Sequence, residues 1–350
     1  MVPGAPSLAE LAAAVQHNCD LVDAQHARDA AMCTYLLGMR EYFRWTTGQA
    51  LGACVEAGAV RCWIEQRERH WEALLDRGAD QLLPLPLQGG LDAYEEEVAN
   101  QEIAAHRLVY GAGIGRFGVP LFFLAQRESS MPHNGVQVVV AGAEMARGFV
   151  APPAVSRGAT VVVRLDAFRR WLWTRAEVAA GREATDAFRT ALRAYDAGGP
   201  LDETIERMAR GELESLILHE MGELRAGRLL GPDWEPMLGR LEDRKAELVV
   251  RAVRDLLADC LVTLPELLER RATPSLHFWF SNLDGVRRVL APQLLAARVG
   301  VSGAIDTDRL REEVARGQKH WNEIARDLLA RWRAGGRDAI ALGTRALCAV

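Results

Sequence analysis

The stretch VQVVVAG, residues 136–142, departs most clearly from the helical pattern that dominates this chain. It is short and rich in β-branched valine, and it follows the turn-forming pair Asn134-Gly135, which is typical of a β-strand. Two runs of the same character flank it, VPLFFLA (119–125) and TVVVRL (160–165). Together the three runs predict one small β-sheet near the middle of the chain.

On both sides of the predicted sheet the apolar residues recur with helical spacing. Ser7 and Glu10 form a capping box, which predicts the start of a first helix. Its apolar positions continue through Leu36 and Leu37, and Thr46, Thr47 and Gly48 then interrupt it. Further helical patterns cover residues 59–75, 91–108, 166–195, 202–229, 234–271, 284–298 and 306–333. The Gly198-Gly199-Pro200 cluster predicts a domain boundary. We therefore expect an α+β, mostly α fold, with helices and a small sheet in residues 1–198 and an all-helical bundle in residues 201–350.

The bulk composition excludes several classes of protein. A net charge of −5 over 350 residues does not suggest a nucleic-acid-binding surface, so no nucleic-acid partner is expected. No run reaches the roughly 18 apolar residues of a membrane helix, and the first twenty residues do not resemble a signal peptide. The six cysteines contain no C-x-x-C pair and no disulfide framework. We therefore expect reduced thiols and a cytoplasmic location.

One motif matches the consensus sequence of a cofactor-binding site but lacks its structural context. Residues 113–118, GIGRFG, fit G-x-G-x-x-G. A dinucleotide fingerprint must follow a strand and open a helix, so that the helix N-terminus faces the pyrophosphate. Here a helical pattern precedes the motif and a strand pattern follows it. We interpret it as a flexible turn into the sheet.

The first helical stretch raises two lesser possibilities. Cys19, His26 and Cys33 share one face of a continuous helix, but seven residues of helix rise about 10.5 Å, so no two of them could hold one ion. The simplest interpretation is two small buried cysteines and a histidine bonded to a carboxylate. The run MREYFRW (39–45) sets Arg40 and Arg44 among aromatic residues. These arginines either form surface ion pairs or bind an anionic ligand.

The stretch LILHEMGE, residues 216–223, is the best candidate for a catalytic or metal-binding site. On a helical wheel Glu220 falls inside the apolar stripe, where a carboxylate is costly unless it is paired, protonated or bound to a metal. His219 and Glu223 lie one turn apart on the adjacent strip and could both reach one ion. The stretch resembles the H-E-x-x-H zinc motif, but a glutamate stands in place of the second histidine.

A second predicted helix carries matching charges. Residues 248–264 are apolar nearly all round, yet they include Arg251, Arg254, Asp255 and Asp259. The two aspartates are one turn apart and point the same way. Carboxylates on two helices, with a histidine on one of them, are the ligands from which helical bundles build metal sites. His277, in the following segment, could complete such a site.

Three interpretations of these residues remain open. In the first, His219, Glu223, Asp255, Asp259 and His277 hold a divalent metal such as Zn, Fe or Mn, and Glu220 is the catalytic acid/base. In the second, Arg251 and Arg254 neutralise the acids in a structural ion-pair network. In the third, the acids form a metal-free acid/base pair. The pattern departs from di-iron bundles, because Leu216 rather than a carboxylate stands three residues before His219.

Several stretches resemble an uncharacterised bacterial family of conserved hypothetical proteins. They are HNCDLVDAQHARDAAMCTYLLGMREYFRW (17–45), AEMARGFVAPPA (143–154), LILHEMGE (216–223) and DLLADCLVTLPELL (255–268). The resemblance covers most of the chain and implies a cytoplasmic bacterial protein with an N-terminal and a C-terminal domain. It implies no activity, so it assigns no catalytic residue.

The sequence thus leaves two classes of function. The preferred functional hypothesis is a metal-dependent enzyme of the hydrolase or oxygenase type, acting on a small-molecule substrate, with its His/Glu/Asp site in the C-terminal helical domain. The other is a non-catalytic binding or scaffold protein, which could be a homo-oligomer, whose buried charges fix helix register.

Overall fold

A computed structural model describes residues 7–77, 81–180, 187–298 and 304–348. Four helices precede the sheet: α1 (Leu8–His26), α2 (Met32–Thr46), α3 (Ala57–Asp76) and α4 (Glu96–Ile103). The strands are β1 (Leu108–Ile114), β2 (Pro120–His133), β3 (Val136–Arg147), β4 (Ala154–Arg157) and β5 (Thr160–Arg164). Each of the three runs predicted as strands forms one, as β2, β3 and β5.

The first helix begins as its sequence predicts and ends earlier. The Ser7 hydroxyl accepts a hydrogen bond from the Glu10 amide at 3.2 Å, and the Glu10 carboxylate accepts one from the Ser7 amide at 2.9 Å. The predicted continuous helix to residue 37 is wrong, because a 3₁₀ turn at Ala27–Asp29 separates α1 from α2. Cys19 is buried in α1 and Cys33 is exposed on α2, and both are free thiols. The shared helix face that we expected for them does not exist.

The five strands form one sheet in the order β1-β2-β3-β5-β4. β1 and β2 are antiparallel, with Leu108 opposite Gln126 and Ile114 opposite Pro120. β2 and β3 form a hairpin whose two turn residues, Asn134 and Gly135, both adopt positive φ, as a type I′ turn requires. The sheet is thus larger than the sequence predicted.

The extra strand β1 also changes the context of the GIGRFG motif. A strand precedes the motif, whereas the sequence indicated a helix. The motif nevertheless opens no long helix: it makes a 3₁₀ turn at Arg116–Gly118, with Phe117 and Gly118 at positive φ, and leads directly into antiparallel β2. It is therefore the turn of a β-hairpin, as the interpretation of a flexible turn into the sheet anticipated.

From Leu165 onward, every element that the structure describes is a helix. The helices are α5 (Leu165–Ala179), α6 (Ala187–Arg193), α7 (Leu201–Gly211), α8 (Leu213–Leu230), α9 (Trp234–Leu238), α10 (Arg244–Ala258), α11 (Leu264–Glu269), α12 (Thr273–Asn282), α13 (Gly285–Leu290), α14 (Pro292–Ala296) and α15 (Thr307–Cys348). A π-helical turn, Asp259–Thr263, joins α10 to α11. Gly336, at φ 63°, interrupts α15 three residues beyond the predicted end of the last helical pattern at residue 333. The fold is α+β and mostly α, as expected.

The described residues group into two compact units. The first draws on Met1–Met131, Val139–Pro153 and Val162–Thr174, and the second on Pro132–Val138, Ala154–Val161 and Arg175–Val350. The main core of the first unit is formed by residues of α1, α4, β1 and β2, and that of the second by residues of α8, α10, α12 and α15. The predicted domains, residues 1–198 and 201–350, remain a prediction that proteolysis can test. No helix among the described residues is long and apolar enough to span a bilayer.

Candidate functional site

Helices α8 and α10 bring the predicted residues together by packing very closely. A Cβ added at Gly222 of α8 would lie 2.6 Å from the backbone oxygen of Ala258, at the end of α10. Only a glycine permits this approach of the two backbones. His219 and Glu223 therefore lie close to the α10 residues Asp255 and Arg254, and to Asp259 just beyond them.

The imidazole of His219 lies between two carboxylates. Its Nδ1 is 2.8 Å from Oδ1 of Asp259, and its Nε2 is 3.4 Å from Oε1 of Glu223. Burial by itself would lower the pKa of His219, but Asp259 and Glu223 outweigh it and hold that pKa well above its ordinary value. The side chain remains 28% exposed, so solvent can reach the ring. The two carboxylates thus favour the imidazolium form, which donates from both ring nitrogens.

Asp259 is the fully buried end of this arrangement. Besides His219, it faces the guanidinium of Arg287, whose Nη1 is 3.5 Å from Oδ2, and it accepts a hydrogen bond from the side chain of Trp279. Burial raises the pKa of Asp259, but these partners outweigh it, His219 first, and the pKa lies below its usual value. Sequence reasoning missed Trp279, because an indole in the run HFWF looks like an ordinary core residue.

Asp259 also opens the π-helical turn, where the helical hydrogen-bond ladder changes register. Two carbonyls of this turn accept bonds from side chains of other helices. Gln318 of α15 donates to the Cys260 carbonyl at 2.8 Å, and Arg225 of α8 donates to the Leu261 carbonyl at 3.3 Å. Such turns occur often at functional sites, and this one begins at the residue whose carboxylate binds His219.

Arg254 is the cation that binds the remaining acids. Its Nη2 donates to Oε2 of Glu223 at 2.7 Å and lies 3.7 Å from Oδ1 of Asp255, while its Nη1 donates to Glu235 at 3.0 Å. Burial favours the neutral form of Glu223, but Arg254 and His219 outweigh it and lower the pKa of that carboxyl. The pKa of Asp255 is raised, first by burial and then by the neighbouring Glu223 charge. Arg251, the other expected cation, pairs instead with Glu247 at 2.7 Å.

Glu220 occupies a different face of α8. It is 9% exposed, as its place in the apolar stripe predicted, and the side chain of Ser156 on β4 hydrogen-bonds to it. Burial, and secondarily the charge of Glu223, raise the pKa of Glu220 to about 7. Sequence reasoning missed Ser156, since nothing in the chain indicates that β4 meets α8.

The structure therefore brings together most of the residues predicted for the site. His219 contacts both Glu223 and Asp259, and Asp255 reaches them through Arg254. His277 is half-buried near Arg298, and burial and then that arginine lower its pKa. It lies two residues from Trp279 on α12, about 200° around the helix from the residue that binds Asp259. Within the described residues, no three His, Cys, Asp or Glu side chains are placed to hold one metal ion.

Two family models together cover most of the chain. Residues 10–164 match the N-terminal domain, and residues 169–347 the C-terminal domain, of a family of unknown function, DUF6866. The chain belongs to DUF6866. This confirms the resemblance to an uncharacterised family. No curated protein and no solved structure is significantly similar to the chain.

The charge network around His219 lies almost wholly in the C-terminal DUF6866 domain. Ser156, the partner of Glu220, falls within the residues matched by the N-terminal domain. A family whose function is unknown transfers no role to any of these residues, so their chemistry has to be argued from their geometry.

Proposed function

We propose that this DUF6866 protein is a non-catalytic binding or scaffold protein, in which the charges around His219 form a structural ion-pair network. The observation that carries the proposal is the position of Arg254, which contacts Glu223, Asp255 and Glu235 at once. Buried carboxylates that approach one another need a cation between them. Here a guanidinium supplies that charge.

The two carboxylates that flank His219 support the same conclusion. A metal binds the lone pair of a neutral imidazole nitrogen, so a histidine must lose its proton before it can be a ligand. In this site Asp259 and Glu223 flank the two ring nitrogens and favour the imidazolium, which offers no lone pair. The ring therefore acts as a second cation, which links α8 to the π-helical turn.

Metal analysis combined with Glu223→Gln tests the proposal. We expect no stoichiometric metal in the purified wild type. We expect the variant to lose about 1–3 kcal/mol of unfolding free energy in urea, because Arg254 and His219 each lose a buried charged partner. Glu266→Gln, on α11, is the matched control: the exposed pair of Glu266 with Arg270 should contribute under about 1 kcal/mol. Stoichiometric metal that disappears in Glu223→Gln would overturn the structural network.

Glu220 supports a second candidate function, a metal-dependent enzyme of the hydrolase or oxygenase type. A buried carboxyl with a pKa of about 7 has the value that general acid/base catalysis needs, and it neighbours His219 in the sequence. Zn, Fe or Mn would use His219, Glu223 and Asp259, with Asp255 in addition, after displacing Arg254. His277, predicted as a further ligand, lies too far around α12 to join them.

Arg254→Gln separates the two candidates. A structural network loses its main cation, so stability should fall and titrated Zn²⁺, Fe²⁺ or Mn²⁺ should not restore it. A metal site would instead be freed of a competing charge, and added metal should raise the unfolding temperature. Restored stability in Arg254→Gln, abolished by a further His219→Ala change, would favour the enzyme.

We also propose a cytoplasmic location in a bacterium. Cys19, Cys33, Cys54, Cys62 and Cys260 are free thiols, which suits a reducing compartment. Fractionation of cells that express the tagged full-length protein tests this location.

A further inference from the structure

Helix α15 turns back on itself at Gly336. The φ and ψ angles of Gly336 are 63° and −143°, a combination essentially confined to glycine. A Cβ added at Gly343 would lie 3.0 Å from Cδ of Arg331 and 3.6 Å from Cδ2 of Leu328. A straight helix would separate Gly343 from Arg331 by about 18 Å, because each residue adds about 1.5 Å of rise. Residues 337–348, which we call the C-terminal arm, therefore pack back on the preceding part of α15.

The C-terminal arm completes the core of the second unit. Ile340 is 0% exposed and belongs to the same hydrophobic cluster as Trp321 and Leu328 of α15. Leu347 is partly buried and packs against this cluster. An arm that moved away would expose Ile340 and the surface beneath it to water, which is unfavourable for apolar side chains. The place that the arm fills must therefore be filled again, by this arm or by an identical one.

The apolar positions of the arm are in phase with those of the rest of α15. Trp332 packs on the core, and Ile340, Gly343 and Leu347 follow it at the spacings of a helix face. At about 100° per residue, these three positions lie within about 80° of Trp332. If Gly336 adopted helical angles, α15 would be one straight helix with a continuous apolar stripe. A straight α15 carries the arm away from its own core, so the stripe then needs the core of a second copy.

The partner that fits this surface is thus another copy of the same chain. We propose that two copies exchange their C-terminal arms, with Gly336 as the hinge, and form a domain-swapped dimer. Each arm fills on the partner copy the place beside Leu328 and Arg331 that it fills on its own copy in the closed form. The proposal goes beyond the binding or scaffold function proposed above, because the charges around His219 take no part in it.

The balance between the closed monomer and the exchanged dimer depends on the hinge and on association. The arm makes the same contacts in both forms, which is why exchange of an identical element is a low-cost route to a dimer. Association opposes the exchange, since two chains lose translational and rotational freedom. Glycine at the hinge favours the closed form, because it adopts a φ of 63° without the steric cost of a Cβ. Protein concentration and the residue at position 336 should therefore control the amount of dimer.

Sedimentation equilibrium of full-length Gly336→Ala tests the hinge. Alanine is disfavoured at the angles of the closed hinge and is the best helix former, so the variant should favour a straight α15. We expect its dimerisation constant to exceed that of the wild type by at least about thirtyfold, because the dimer contains two hinges. Gly227→Ala, on α8, is the matched control. A Cβ there meets no atom within 4 Å, so the dimerisation constant should not change.

A pair of complementary variants shows whether the arms cross between copies. In the closed form, the larger side chain of Gly343→Leu meets Arg331, and Arg331→Ala makes room for it. The two variants are expressed together, each with Gly336→Ala and a different tag, and native mass spectrometry counts the dimers. If the arms cross, the enlarged arm of one chain fits the shortened side chain of the other. Mixed dimers should then exceed their random share.

The matched control places both of these substitutions in one chain. This chain, expressed together with Gly336→Ala alone, fits its own kind best. In a mixed dimer the arm with Gly343→Leu would meet an intact Arg331, so mixed dimers should fall below their random share. An equal share of mixed dimers in the two experiments would show that the arms do not cross, and would overturn the exchange.

The wild type provides a test that does not depend on any variant. It is incubated at high concentration close to its unfolding temperature and then cooled. We expect a dimer that has the circular dichroism spectrum of the monomer and reverts to monomer on dilution and renewed warming. Absence of a dimer in both the wild type and folded Gly336→Ala overturns the exchange and leaves the proposed function standing. Stoichiometric metal at His219 would overturn the proposed function and leave the exchange standing.

Discussion

Glu220 is a buried carboxyl that should make stability depend on pH. Its pKa of about 7 lies above the ordinary 4.5, so the folded state favours the protonated form. The resulting stabilisation is fully present below pH 4.5 and is lost as the pH rises through about 7. Glu220→Gln mimics the protonated acid at every pH. The wild type should lose about 2 kcal/mol of unfolding free energy between pH 5.5 and pH 8.5 through this group, and the variant should not. The variant should therefore be about 2 kcal/mol more stable relative to wild type at pH 8.5 than at pH 5.5.

Urea unfolding at the two pH values measures this gain. Glu312→Gln, at a 71% exposed side chain of α15, serves as the control for removing a surface charge. A constant difference between wild type and Glu220→Gln across the pH range would mean that burial does not keep Glu220 protonated.

At this scale the sequence predicted the types of residue better than their partners. The helical wheel placed Glu220 in the apolar stripe and set His219 beside Glu223, because both inferences depend only on spacing within one helix. It could not choose between Arg251 and Arg254 as the cation. The choice follows from how α10 faces α8, which a single helix does not specify.

The close approach of α8 to α10 should depend on the absence of a side chain at Gly222. Gly222→Ala would put a methyl group 2.6 Å from the Ala258 backbone oxygen, so α8 must move away from α10. We expect a loss of about 1–3 kcal/mol of stability and a longer His219–Asp259 contact. An NMR titration should detect the weaker contact as a lower pKa of His219 in the variant.

Gly227→Ala provides a control on the same helix. A Cβ at Gly227 meets no atom within 4 Å, so this change should stabilise the protein by about 0.5–1 kcal/mol through helix propensity. If both alanine variants behaved alike, close packing at Gly222 could not be what positions His219.

Among the elements, those with a strong local pattern were predictable and those without one were not. The valine-rich run 136–142 forms part of β3, and the Ser7 capping box starts α1. β1 was missed because its sequence, LVYGAGI, contains two glycines and follows a helical pattern. Its pairing with β2 stabilises it as a strand, and pairing is not a property of the segment alone.

The exposed segment around Gly198-Gly199-Pro200 should be the preferred site of limited proteolysis. Residues 196–201 are all exposed, and Gly198 adopts a positive φ. We expect a cut there to leave the two fragments associated under native conditions. The reason is that α6, before the cut, packs on α12, and Arg175 donates hydrogen bonds to Asn282 and to the Ser281 carbonyl.

Size-exclusion chromatography of the nicked protein, with and without urea, tests this expectation. Fragments that separate only in urea would mean that the domain division lies before residue 198. Fragments that separate in buffer would instead support the predicted domains 1–198 and 201–350.

The sequence by itself determined the class of fold, the presence of a central sheet and the helix that carries His219, Glu220 and Glu223. These depend on periodicity and on turn and cap residues, which act over a few positions of the chain. Only the tertiary structure decided which charges meet. His219 binds Asp259 across 40 positions, and Arg164 binds Glu144 across 20. Such pairings arise because buried charges must find partners, and helix packing and strand pairing determine which partners are within reach.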